Sequence, residues 1–100
     1  MSNKTTLECL QEGYAILVDP LHWSRGYFEL DGRYCMLGAC GYRINRPNES
    51  VRERILAAIR ARHPEYEGTV SSFNWRSTHA EVLAVLRDAI EMEGKCQILQ

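Results

Sequence analysis

Apolar residues recur along the first stretch of the chain as Leu7, Leu10, Tyr14 and Leu17, and Ala15, Ile16 and Val18 widen the same face toward its end. That spacing of three to four residues predicts a helix from about Thr5 to Val18, with Glu8, Gln11 and Glu12 turned to water. Gly13 weakens it by about 1 kcal/mol relative to alanine. Asp19-Pro20 ends it, because the residue before proline is pushed out of the α region. Leu21 to Gly26 is short and mixed and is expected to hold a turn of helix. Trp23 is expected to anchor in the core, and His22 to lie at the surface.

The pattern then changes. Tyr27, Phe28, Glu29 and Leu30 precede Asp31-Gly32, a strong hairpin dipeptide, so Gly26 to Tyr34 is expected to form a short two-stranded ribbon leaning on helices. From Tyr34 to Ile44 the residues Met36, Leu37, Ala39, Cys40 and Ile44 fit a buried helix. In it Gly38 and Gly41 would let another backbone approach; the alternative is that these glycines leave a loop. Pro47 stops the segment. Ser50-Val51-Arg52-Glu53 has the form of a capping box and opens a helix with the inner stripe Val51, Ile55, Ala58, Ile59 and Arg62, ended by His63-Pro64. Glu65 to Ser72 reads as a polar connection bending at Gly68, and Phe73 and Trp75 beyond it as aromatic plugs at the end of the core. Ser77 or Thr78 caps the last helix, since Thr78-His79-Ala80-Glu81 repeats the capping-box form. Val82, Val85, Leu86, Ala89 and Ile90 follow at helical spacing. Gly94 is its expected stop, leaving 95–100 as a tail whose Ile98 and Leu99 could dock on the domain.

These elements make one α+β domain, mainly α, over 1–94: four helices and a two-stranded β-ribbon. The chain of 100 residues is 45% apolar and 25% charged, which suits a single globular core. Its formal net charge is −1, so there is no global cationic surplus for nucleic acid. Ten arginines stand against two lysines, however, and Arg52, Arg54, Arg60 and Arg62 would lie on the outer side of the third helix. An arginine face suits phosphate or a protein partner, although Glu49, Glu53, Glu65 and Glu67 are interspersed with it. The polar start and the lack of a long apolar run predict a cytoplasmic chain with no membrane span. There Cys9, Cys35, Cys40 and Cys96 are expected to be reduced thiols, with Cys40 packed as a small hydrophobe.

Three kinds of chemistry compete with a purely structural reading. Cys35 in the first turn of a helix, His79 as base and Asn74 as orienting amide have the residue types of a thiol hydrolase. No spacing rule links them, and a hundred residues leave little room for a substrate cleft. The preferred reading is that Cys35 packs, Thr78 caps, and His79 holds a nearby backbone carbonyl or aromatic ring. Zinc sites show ligands paired at short spacing, whereas Cys35 and Cys40 are five apart and His22, His63 and His79 are scattered. Gly38-Ala39-Cys40-Gly41 lacks the lysine and the glycine spacing of a phosphate loop, and no cofactor motif is present.

Taken in order, "DPLHWSRGYF", "YCMLGACGY", "FNW" and "THAEVLAVLRDAI" resemble a family of small actinobacterial and actinophage proteins of unknown function. That family carries a W-x2-G, a C-x-LGA, an F-N turn and a THAEVL…AI segment. The resemblance spans Asp19 to Ile90 and places Trp23, Gly26, Cys35, Leu37, Gly38, Ala39, Asn74, Thr78 and His79 on the family pattern. Two features depart from it: the ribbon before Cys35 is short, and Trp75 stands where an aspartate is common. The resemblance implies a compact helical fold and favours a phage- or mobile-element protein that binds a host protein. The arginine face of the third helix (Arg52, Arg54, Arg60) and the exposed parts of Tyr27, Tyr42 and Tyr66 are the expected contacts. Trp23, Gly26, Gly38, Trp75 and Thr78 would form its structural motif. A surplus apolar helix face would also allow a homodimer.

Overall fold

The computed structural model describes residues 4–43 and 45–98, the side chains of 96–98 excepted. Ile44, the Cys96 thiol and the docking of Ile98 and Leu99 lie outside the described residues. The elements are α1 (Thr6–Leu17), a 3-10 turn (Pro20–His22), α2 (Met36–Ala39), α3 (Glu49–Arg62), α4 (Val70–Arg76) and α5 (His79–Ile98). No described helix is long and apolar enough to cross a membrane.

The long helices follow the apolar spacing. Leu10 and Leu17 of α1, Val51, Ile55, Ala58 and Ile59 of α3, and Val82, Val85, Leu86 and Ala89 of α5 are fully buried together. Each large aliphatic side chain among them contributes roughly 1.5–3 kcal/mol by leaving water. Thr5 caps α1 in a reciprocal box: its hydroxyl accepts from Glu8 N, and Glu8 accepts from Thr5 N at 2.9 Å. Arg62, expected on the inner stripe of α3, is exposed and ion-paired with Asp88 of α5.

Five features of the sequence reading are corrected. First, α3 is capped by Asn48, whose side chain accepts from Val51 N, so Ser50 lies inside the helix. Second, α5 runs through Gly94 to Ile98. The glycine's cost is only about 1 kcal/mol, and Glu93 beside it is held to Arg54 of α3 at 2.8 Å. Third, among the described residues 34–43 only the four residues of α2 are helical, since Gly41 at φ +91° turns the chain away.

Fourth, among the described residues no sheet forms, only isolated bridges. The Asp31-Gly32 turn has positive φ at both positions (52° and 78°) and joins Leu30 to Arg33 by two hydrogen bonds, as its residue types predict. The flanks then diverge. Tyr34 pairs with Trp23 in parallel, and Phe28 lays its backbone on Gly38 so closely that a Cβ there would overlap the Phe28 carbonyl. Fifth, the connection before the last helix contains α4, which gives five α-helices among the described residues in place of four.

Candidate functional site

α4 carries the residues on which both the catalytic and the structural readings depend. Thr69 caps it by accepting from Ser72 N, and the Tyr66 hydroxyl donates to Thr69 O at 2.7 Å. Val70, Phe73 and Asn74 face inward, whereas Trp75 is 62% exposed. Phe73 is therefore the plug that the sequence suggests, and Trp75 is not.

Asn74 is fully buried and uses its amide completely. Its Oδ1 accepts from Trp23 Nε1 at 2.9 Å and from the Met36 backbone N at 3.1 Å. Its Nδ2 donates to the carbonyls of Ser24 at 2.9 Å and Arg25 at 2.8 Å. Both partners of the oxygen are donors and both partners of the nitrogen are acceptors, so the orientation of the amide is determined by its neighbours. One side chain thus joins α4, the start of α2 and the 23–25 segment.

The surrounding motif braces the same joint. The Trp23 and His79 rings lie 5.6 Å apart, and His79 Nε2 donates to the Leu17 carbonyl at the end of α1. Arg25 Nη1 donates to Trp75 O and Ser77 O, both at 2.8 Å, and its guanidinium stands 4.9 Å from the Trp23 ring. Those carbonyls at the end of α4 have no partner within the helix, so an arginine is a natural donor to them. Gly26 leaves room for the Trp75 ring, from which a Cβ would stand 3.0 Å. Thr78 Oγ1 accepts from Glu81 N at 3.2 Å, as a cap should. The reciprocal half of that box is replaced, because the Glu81 carboxylate faces His63 Nε2 at 2.8 Å.

Cys35 takes the N-cap position of α2 rather than its first turn, and its sulfur accepts from Gly38 N at 3.4 Å. Burial pushes its thiol up; the backbone N–H groups at Gly38 and Leu37 and the Arg43 charge oppose this less strongly. Among the described residues, none of Cys35, Asn74 and His79 hydrogen-bonds another. Cys35 lines a cleft of about 390 Å³ with Tyr27, Phe28, Thr69 and Trp75, and neither Asn74 nor His79 lines it. No three described His, Cys, Asp or Glu side chains gather as a metal site.

The expected cationic face of α3 is largely matched by acids. Arg52 pairs with Glu49 and Arg54 with Glu93, each at 2.8 Å, while Arg60 stands exposed. Of the tyrosines, Tyr27 is 58% exposed; Tyr42 is half-buried against Phe28, and Tyr66 against Phe73. The structure thus pairs or packs four of these six side chains, Arg52, Arg54, Tyr42 and Tyr66. It places Tyr27 and Trp75 together at the cleft. Sequence reasoning missed Trp75 as a surface residue. The available signal was its position directly after Asn74: once Phe73 and Asn74 face inward on a helix, residue 75 turns about 100° further round.

A family model described as a family of unknown function (DUF6197) matches residues 1–92, and the chain belongs to that family. No curated protein and no solved structure matches it.

Proposed function

From membership in a family of unknown function, and from a polar motif committed to internal bracing, we propose a small non-enzymatic interaction protein. It acts by binding another protein through the surface around Trp75 and Tyr27. The observation that carries this reading is the 62% exposure of an indole beside a tyrosine exposed by 58%, on the rim of one cleft. Trp and Tyr dominate binding hot spots, since each brings a large rigid apolar surface with one polar atom. The proposed partner is a host-cell protein met in the cytoplasm, which is what the resemblance to actinophage proteins implies. Arg60, exposed on α3, is a further contact candidate in place of the paired Arg52 and Arg54.

The test compares the tagged full chain with a Trp75→Ala/Tyr27→Ala variant of unchanged helical circular dichroism. A defined protein retained by the first and lost by the second is expected. Retention by both, or by neither, removes the proposal. A thiol-enzyme reading has one point in its favour, the Cys35 sulfur at the cleft. It requires Cys35 to react with iodoacetamide at neutral pH in the folded chain as fast as after denaturation. The raised thiol predicts much slower reaction when folded. Nucleic-acid binding through α3 has less support, because Glu49, Glu93 and Asp88 occupy three of its four arginines.

A further inference from the structure

Away from Asn74, α1 and the end of α2 meet at a contact between Gly13 and Cys40. Gly13 of α1 is buried, and a Cβ there would overlap Cys40 Sγ and stand 3.2 Å from Cys40 Cα. The Cys40 sulfur therefore occupies the place of the missing Gly13 side chain. On a helix the Cα–Cβ bonds tilt toward the N-terminus, and side chains four apart lie one above the other with Cβ atoms about 5–6 Å apart. The residue four before Gly13, on the side toward which its side chain would lean, is Cys9. The Cys9 sulfur is only partly buried, and its described polar contact is the Asn48 amide at 3.9 Å, a weak one. Both thiols are free.

We propose that Cys9 and Cys40 form an oxidation-responsive dithiol, closing to a disulfide that ties α1 to the end of α2. The oxidant is a low-molecular-weight disulfide, RSSR. The more accessible Cys9 thiolate attacks one of its sulfurs, forming a Cys9–SR mixed disulfide and releasing one RS⁻. The Cys40 thiolate then attacks the Cys9 sulfur and displaces the second RS⁻. The two protein protons end on the two released thiols, so RSSR is reduced to two RSH as the dithiol is oxidised. A disulfide needs Cβ atoms about 3.5–4.5 Å apart, a shift of a few ångströms from helical neighbours. Cys40 is the C-cap of the four-residue α2 and is followed by the positive-φ Gly41, so this shift falls at a turn rather than inside a long helix.

Burial raises both thiols, and for Cys40 the Cys9 charge is the next contribution after burial, consistent with their closeness. The reaction is therefore slow at neutral pH and faster in mild alkali. Closure also withdraws the Cys9 sulfur from Asn48, the residue whose other amide atom caps α3. Oxidation is thus felt at the start of α3. This proposal is independent of the Trp75 surface.

The experiment treats the folded full chain with oxidised glutathione, blocks remaining thiols with iodoacetamide, and maps peptides by mass spectrometry without reduction. A Cys96→Ser background removes the fourth thiol. The expected product is a monomer lighter by two hydrogens with Cys9 joined to Cys40, and with a higher melting temperature than the reduced chain. Cys9→Ser and Cys40→Ala should each abolish it, and Cys35→Ser should leave it unchanged. Circular dichroism checks that each variant folds. If Cys40→Ala does not fold, alkylation of Cys40 on denaturing the oxidised parent decides the matter, because a disulfide protects it. A chain that stops at Cys9–glutathione, pairs Cys40 with Cys35, or dimerises through Cys9 overturns the proposal.

Discussion

Replacing Asn74 by alanine removes a buried amide that makes four hydrogen bonds from α4 to two other segments. The four do not count equally. The Met36 N–H is at the start of a buried helix, where water is a poor substitute, and stranding such a donor costs about 1–3 kcal/mol. The bonds to Trp23 Nε1 and to the Ser24 and Arg25 carbonyls are only part-buried, so their losses are smaller. Together, and allowing for the void left behind, the loss is on the order of 3–5 kcal/mol. A domain of this size holds about 5–15 kcal/mol in total. The melting temperature should therefore fall on the order of 12–40 °C, at roughly 4–8 °C per kcal/mol. Urea titration followed by circular dichroism gives the same quantity as a midpoint shift at constant slope. Asn74→Asp sharpens the test: it keeps an acceptor for Trp23 and Met36 but has no donor for the two carbonyls. It should be destabilised as well. A loss below about 1 kcal/mol for Asn74→Ala would show that the amide is not the brace of the fold, and the structural reading of the motif would fall with it.

Two glycines should respond in opposite directions. Gly38→Ala places a Cβ into the Phe28 carbonyl and should give little folded protein, whereas Gly94→Ala in α5 meets nothing within 4 Å and should gain up to about 1 kcal/mol in a thermal melt. The part-buried Arg54–Glu93 pair should show a coupling of about 0.5–1 kcal/mol in a double-mutant cycle, weakening little with salt, while the exposed Lys4–Glu12 pair should show less and lose it at high salt. The carboxyl of Glu8 is held below its ordinary range, first by the Thr5 backbone N–H and then by the Thr5 hydroxyl. A depressed carboxylate contributes stability above its unfolded pKa and loses that contribution as pH falls through the folded one. The stability gap between the parent and Glu8→Gln in urea should therefore be present at neutral pH and close in acid.

Much of the scaffold was legible because it is local. The 3.6-residue spacing of α1, α3 and α5, the proline stops at Pro20 and Pro64 and the Thr78 cap act through neighbours in sequence, and the structure carries each of them. The Asp31-Gly32 turn also forms as its residue types require, since positive φ is a property of the dipeptide. Where local signals competed, tertiary contacts decided. Thr-Val-Ser-Ser-Phe-Asn-Trp is a poor helix by propensity, yet it winds into α4 because that places Phe73 and Asn74 in the core. The ribbon fails beyond one pair because the Phe28 backbone lies against Gly38.

The site divides in the same way. Its residues Trp23, Cys35, Asn74, Thr78 and His79 all stand out in the sequence, three of them as a catalytic alternative and two as a structural motif. Whether their role was catalysis or bracing depended on which atoms face which. A carboxamide 38 residues from Met36 and 51 from Trp23 has no spacing rule that could announce its partners. The chain alone settles where backbone can turn and which faces are apolar, because those preferences are short-range. Folding alone settles where a buried polar group finds its partners, because each must be satisfied by whatever the packing of distant segments brings within hydrogen-bond reach.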